Sequence, residues 1–317
     1  MSSVADDPVA MSCSQAVLEE FQSDRVGLTY NRPSDFVTCQ WPCRQRWYLV
    51  YRVVASVLLT SWAIGDVAYE THEFYGGTIG RWFIFATNWS FLLLTLTTIF
   101  QALISGIFAW KHHWIVDPQY CRSMPVVLRM QWAMQALAYN SAVVVTAAYW
   151  LFISLFADEP LLKTSMSEMK HSANTLYVLV DLMVIAAPVR LFHMFYPIGL
   201  GSCYVIFNSL YFLQEGTIYM AHAPPEASKY AYNFMNWKKP VEAIITCVLG
   251  VFLSVLAQIT LFLFFRLRVC IWQKVCDGDA SRMESELQNI VLSHSSSYNT
   301  IDDAIEDKKT VFEKTID

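Results

Sequence analysis

Thr87 and His171 are the residues whose types and placement suit nucleophilic chemistry. A threonine hydroxyl is a weak nucleophile alone, and an imidazole nitrogen within about 2.6–3.2 Å can take its proton. Thr87 stands in the run WFIFATNWSFLLLTLTTIFQ, residues 82–101, six residues after Arg81 and so about 9 Å beyond that charge on a helix. His171 heads a second apolar run, which puts the two at matching depth if both helices point the same way. Asn88, Asn174, Asp66, Glu215 and Asp181 are candidates for a supporting polar pocket. Asn174, one turn below His171, suits a developing oxyanion; Asp66, Glu215 or Asp158 would orient the imidazole. Asp181 lies ten residues from His171, about 15 Å and too deep to orient it directly. The competing expectation is structural: a threonine in an apolar helix commonly bonds its own preceding carbonyl or a neighbouring helix.

Positioning such groups takes helices in a bilayer. The chain of 317 residues is 55% hydrophobic and only 15% charged, with a mean hydropathy of +0.34, too apolar for a soluble protein of this size. A spanning helix needs about 20 mainly apolar residues. Six segments qualify: 47–69, 82–110, 133–157, 175–196, 199–220 and 241–267. The stretch between Lys111 and Met130 does not, because it holds Asp117, Pro118, Arg122, Pro125 and Arg129. The expected fold is an all-α six-transmembrane-helix bundle over 47–267, with an N-terminal segment 1–46 and a largely disordered tail 268–317.

Six spans place both termini on one side, and basic residues near the span ends choose it. Arg32, Arg44, Arg46, Lys111, Arg122, Arg129, Arg190, Arg266, Arg268, Lys274 and Arg282 flank one side, eleven in all. Arg81, Lys163, Lys170, Lys229, Lys238 and Lys239 flank the other, six in all, so the termini are expected in the cytoplasm. Residues 1–46 show no signal-peptide pattern. The tail run SHSSSYNT at 293–300 reads as disordered. Cys270 and Cys276 sit where palmitoylation occurs, though ordinary free thiols are the plainer reading.

Polar residues inside the spans turn toward the bundle interior, because lipid cannot satisfy them. Thr87, Thr98, Gln101 and Ser105 fall within about 60° on one helix. His171, Asn174 and Asp181 share a second face, and Asn208, Tyr211, Glu215 and Tyr219 a third. The ionisable groups gather at the outer level, with Arg52 and Arg190 expected to snorkel at the inner one. Asn88-Trp89-Ser90 spells a glycosylation acceptor but lies inside a span. Neither a metal nor another cofactor is expected, since no histidine or cysteine set has zinc spacing. Six spans rather than seven argue against a G-protein-coupled receptor, and the absence of paired broken helices against a transporter. No basic patch supports nucleic-acid binding.

The segments RPSDFVTCQWP (32–42), RWFIFATNWSF (81–91), HSANTLYVLVDLMVIAAPVRLFHMFYP (171–197) and YNFMNWKKPVEA (232–243) resemble the rolling stone family of animal multipass proteins over nearly all the chain except its tails. The resemblance implies a part in myoblast fusion during myogenesis, with fusion-site proteins and membrane lipids as partners and the plasma membrane, rather than the endoplasmic reticulum, as location. That family is in turn similar to the androgen-induced, FAR-17A type six-helix hydrolases of fatty acid esters of hydroxy fatty acids. Their threonine would correspond to Thr87 and their histidine to His171, implying a lipid-ester substrate. The threonine context departs from that pattern, because Asn88, Trp89 and Ser90 replace an apolar continuation.

Overall fold

Among the described residues six α-helices follow one another: α1 Gln45–Glu73, α2 Ala86–Trp110, α3 Val126–Ala148, α4 Ser165–Val184, α5 Phe195–Leu213 and α6 Pro240–Glu313. The computed structural model describes residues 18–41, 44–111, 124–153, 164–216 and 231–313, and in α6 the side chains only as far as residue 276. Among the described residues there is no strand, only an isolated antiparallel bridge between Cys39 and Ile185. The chain divides into two units, residues 1–268 and 269–317, the second helical as far as Glu313. Asp158, Cys121, Lys163, Tyr219 and Lys229 lie outside the described residues.

Each helix boundary has a local cause. Gly76 and Gly77, both at positive φ, turn the chain after α1. A 3-10 helix over Ile79–Ile84 then carries Trp82, so the second helix starts at Ala86, four residues later than its hydropathy suggests. The fourth helix is displaced more: it runs from Ser165 to Val184 rather than over 175–196. Thr164 begins it by accepting the Ser167 N–H at 3.1 Å. It ends at Val184, its C-cap Ile185 being extended at ψ 142°, and Pro188 disfavours a return to helix at Ala187. The sixth helix, α6, continues through 277–313. Its first turns there, Arg282 to Gln288, are rich in strong helix formers that the Ser-rich composition further on obscures.

Polarity is inverted relative to a water-soluble protein. Thr97, Thr98, Gln101 and Ser105 on α2 and Gln131, Gln135 and Asn140 on α3 are buried. Large apolar side chains point outward: Val57, Leu58 and Ile64 on α1, Leu96 and Leu103 on α2, Ile244, Val248 and Phe252 on α6. Such an arrangement is stable only where the surroundings are hydrocarbon. Among the described residues three helices, Gln45–Glu73, Ala86–Trp110 and Pro240–Cys276, are long and apolar enough to cross a membrane.

Residues 18–41 pack against the helices. Phe36 and Val37 are fully buried beside Trp132 and Ile185, and Gln131 Nε2 donates to the Phe36 carbonyl at 2.7 Å. The Trp41 indole donates to the Met183 carbonyl at 2.6 Å. Burial raises the Glu20 carboxyl above its ordinary range, opposed by the Leu191 N–H that it accepts at 3.0 Å. At the same level Arg268, buried rather than flanking, donates to the carbonyls of Leu182, Ile185, Ala186 and Ala187. It therefore satisfies the carbonyls that a helix end leaves without partners.

Glu215 closes α5 and does not enter a polar pocket. It is exposed at φ 56°, its N–H donating to Phe212 O and the Gly216 N–H to Tyr211 O, each at 3.0 Å. This is the Schellman arrangement, whose left-handed residue is usually glycine. Glu215→Gly is therefore expected to stabilise the fold by about 1 kcal/mol, read as a higher melting temperature in detergent. Gly216→Ala is expected to destabilise it, because a Cβ there would lie 2.4 Å from the Tyr211 ring.

Candidate functional site

Two buried ionic clusters join the same three helices at two levels. In the first, Lys170 at the start of α4 donates through Nζ to Asp66 at 2.9 Å, Glu70 at 2.6 Å and the Asn88 side-chain oxygen at 2.9 Å. Asp66 and Glu70 lie one turn apart near the end of α1, and Asn88 in the first turn of α2. The Trp82 indole also donates to Asp66, at 3.0 Å, and the Tyr75 phenol to Glu70, at 2.9 Å. Burial and then the Glu70 carboxylate push the Tyr75 phenol well above its ordinary value, so it remains a donor. Two carboxylates thus face one ammonium, and Asp66 Oδ1 has no protein partner.

The second cluster has the opposite polarity. Arg52 near the start of α1 donates to Asp181 near the end of α4 at 2.6 Å, and to Gln101 of α2 at 3.1 Å. The Tyr51 phenol donates to Asp181 at 2.7 Å, and so does the Tyr139 phenol of α3. Arg52 and Asp181 are 1% and 0% exposed, so Arg52 does not snorkel. The clusters stand about 17 Å apart along α4, eleven residues at 1.5 Å. Acids on α1 meet a base on α4 at one level, and the reverse holds at the other. Only an antiparallel α1–α4 pair in this register satisfies both.

Thr87 and His171 have different surroundings. Thr87 lies with the buried Tyr232 on the wall of a cavity of about 460 Å³ between α3, α5, α6 and the first turn of α2. His171 is buried against α3, its ring stacked on Tyr149 at 4.1 Å between centroids, 11° from parallel. Its carbonyl accepts from Thr146 Oγ1. His171 Nδ1 and Asn174 Oδ1 are buried with no protein partner. His171 is absent from the cavity wall, and among the described residues no hydrogen bond links it to Thr87.

The sequence itself decides the relationship. A family model described as protein rolling stone matches residues 10–276. The chain belongs to the rolling stone family. The Drosophila melanogaster protein rolling stone is similar to it at 26% identity over 263 residues, covering 79% of this chain and 89% of that protein. No solved structure matches. Family membership and the apolar exterior make this a rolling-stone-type membrane protein.

In this rolling stone family member Thr98, Gln101 and Ser105 of the polar face predicted on α2 are buried and Thr87 is half-buried, and the threonines further along that helix act locally. Thr95, Thr97 and Thr98 donate to the carbonyls of Phe91, Leu93 and Thr95 of their own helix. Of the proposed pocket, Asp66 and Asn88 meet in the first cluster, Asp181 belongs to the second, and Glu215 to neither. Asn208 on α5 accepts from the Trp237 indole at 2.9 Å. Sequence reasoning missed Lys170 and Glu70, and it read Arg52 as interfacial. The i, i+4 spacing of Asp66 and Glu70 at the end of an apolar helix was the available signal, since two intramembrane acids demand a cation.

Proposed function

We propose that this rolling stone family member is a six-span plasma-membrane protein with cytoplasmic termini that acts in cell–cell fusion of the kind myoblasts undergo, its polar interior serving to hold the helices together. The observation that carries the structural part is the pair of opposed ionic clusters, which use Asp66, Asn88 and Asp181 as ties between helices. Support for six spans comes from α3, α4 and α5, which also turn large apolar side chains outward: Val126 and Met130, Leu176 and Val180, Ile206 and Leu210. The fusion role rests on the family resemblance. The hydrolase alternative needs Thr87 and His171 in contact, and Thr87 on the cavity wall with His171 stacked on Tyr149 gives it no support.

A cell-mixing assay tests this reading. Fusion-competent cells lacking the protein are expected to adhere yet lose most cytoplasmic mixing, with recovery on re-expression; undiminished mixing overturns the fusion role. Epitope tags at the two termini are expected to be reached by antibody only after permeabilisation. A tag accessible on intact cells overturns the topology.

A further inference from the structure

We propose that residues 18–26 lie in the plane of the membrane surface at the end where α1 begins, with Leu18, Phe21 and Val26 set into the boundary between phospholipid headgroups and acyl chains. These side chains belong to one exposed apolar patch. Leu18 and Phe21, three residues apart and so on one side of a helical turn, are 69% and 65% exposed, and Val26 is 43% exposed. Phe21 packs edge-to-face on Phe192 at 5.9 Å between centroids, and Phe192 stacks on Phe195 at 6.1 Å. Tyr196 joins the same strip, its phenol donating to the Val26 carbonyl at 3.3 Å. A contiguous exposed apolar surface of this kind marks a site of interaction.

Continuity with the outward face of α5 names the occupant. Phe195, Ile206 and Leu210 are all exposed, and positions 0, 11 and 15 of a helix fall within about 60° of one another. The patch is therefore the end of the stripe that α5 turns toward lipid, carried onto the N-terminal segment by Phe192 and Phe21. The neighbouring end of α1, tied to that segment by Gln45 Nε2 on the Val37 carbonyl at 2.7 Å, exposes Arg46 and Trp47. A basic residue beside an exposed indole is the signature of a membrane boundary.

The polar groups of the segment turn the other way and are matched by the protein. Glu20, 8% exposed, accepts the Leu191 N–H at 3.0 Å. The Arg190 guanidinium donates to the carbonyls of Arg25 and Gly27, each at 3.4 Å, and of Thr29 at 3.1 Å. Glu19 pairs with Arg25 at 3.1 Å. With acids and bases spent on each other and on the backbone, the contact with lipid is made by apolar groups. Zwitterionic phospholipid then serves as well as acidic phospholipid.

The inference rests on the reading of α5 as a span, and the test separates the two. Full-length protein carrying p-benzoylphenylalanine in place of Phe21, or in a second sample in place of Ile206, is reconstituted into phosphatidylcholine nanodiscs and irradiated, and adducts are read by peptide mass. Lipid adducts are expected at both positions, with the yield at 21 unchanged when phosphatidylserine is added. Lipid at 206 but not at 21 overturns the anchor alone, and no lipid at 206 overturns the span and the anchor together. Adducts at 21 to a second copy of the chain, or adducts to lipid only when phosphatidylserine is present, also overturn it. Leu18→Gln combined with Phe21→Gln removes only exposed apolar groups, so the melting temperature should hold. In nanodiscs that variant should be cleaved by trypsin after Arg25 about tenfold faster or more than the native protein. An unchanged cleavage rate overturns the anchor.

Discussion

Lys170→Met is expected to be among the most damaging single substitutions in this chain. It leaves Asp66 and Glu70 facing each other in a buried site with only neutral donors from Trp82, Tyr75 and Asn88. Removing one partner of a buried ion pair costs about 3–5 kcal/mol, enough to remove a large part of a typical folding free energy. The readout is the melting temperature and monodisperse yield in mild detergent. Charge counting makes the prediction asymmetric. The cluster holds two carboxylates against one ammonium, so Asp66→Asn leaves a matched Lys170–Glu70 pair at 2.6 Å and should cost far less than Lys170→Met. Adding Asp66→Asn and Glu70→Gln to Lys170→Met should recover most of the loss, because no charge then remains buried there. Equal damage from Asp66→Asn and Lys170→Met would sink this account.

The helical class and the three most apolar spans were legible because length and hydropathy act within one segment. Asp66 and Asp181 were legible as groups needing partners, because a buried carboxylate in an apolar run is costly wherever it sits. Their partners were not. Lys170 lies 104 residues from Asp66 and Arg52 129 from Asp181; from sequence alone Lys170 reads as a residue flanking a span and Arg52 as one that snorkels to the interface. The same blindness affected Arg268, counted among flanking charges although its guanidinium closes the end of α4. Thr87 and His171 show the converse error. Thr87 and His171 each stand near a helix start, yet depth does not fix azimuth. Thr87 lines the cavity beside Tyr232 while His171 stacks on Tyr149, in the π-helical turn after α3.

Asp181→Leu is the second large prediction, and its mechanism differs from the first. Arg52 and Asp181 are matched one to one, so removing the acid leaves a buried guanidinium with only Tyr48 and Gln101 as neutral acceptors. It also strips the acceptor from the Tyr51 and Tyr139 phenols. A loss of about 3–5 kcal/mol from the ion pair, with about 1–3 kcal/mol more for each orphaned buried donor, should leave little folded protein. Arg52→Met should cost less, because Asp181 would keep two phenolic donors. In a double-mutant cycle, Arg52→Met with Asp181→Leu should be less damaging than the sum of the singles, since neither charge is then left alone. Adding Tyr139→Phe to that double variant should improve it again, because a phenyl ring needs no acceptor, whereas in the native background Tyr139→Phe removes a donor from Asp181. That reversal of sign separates an ionic tie between helices from a general intolerance of substitution in the core.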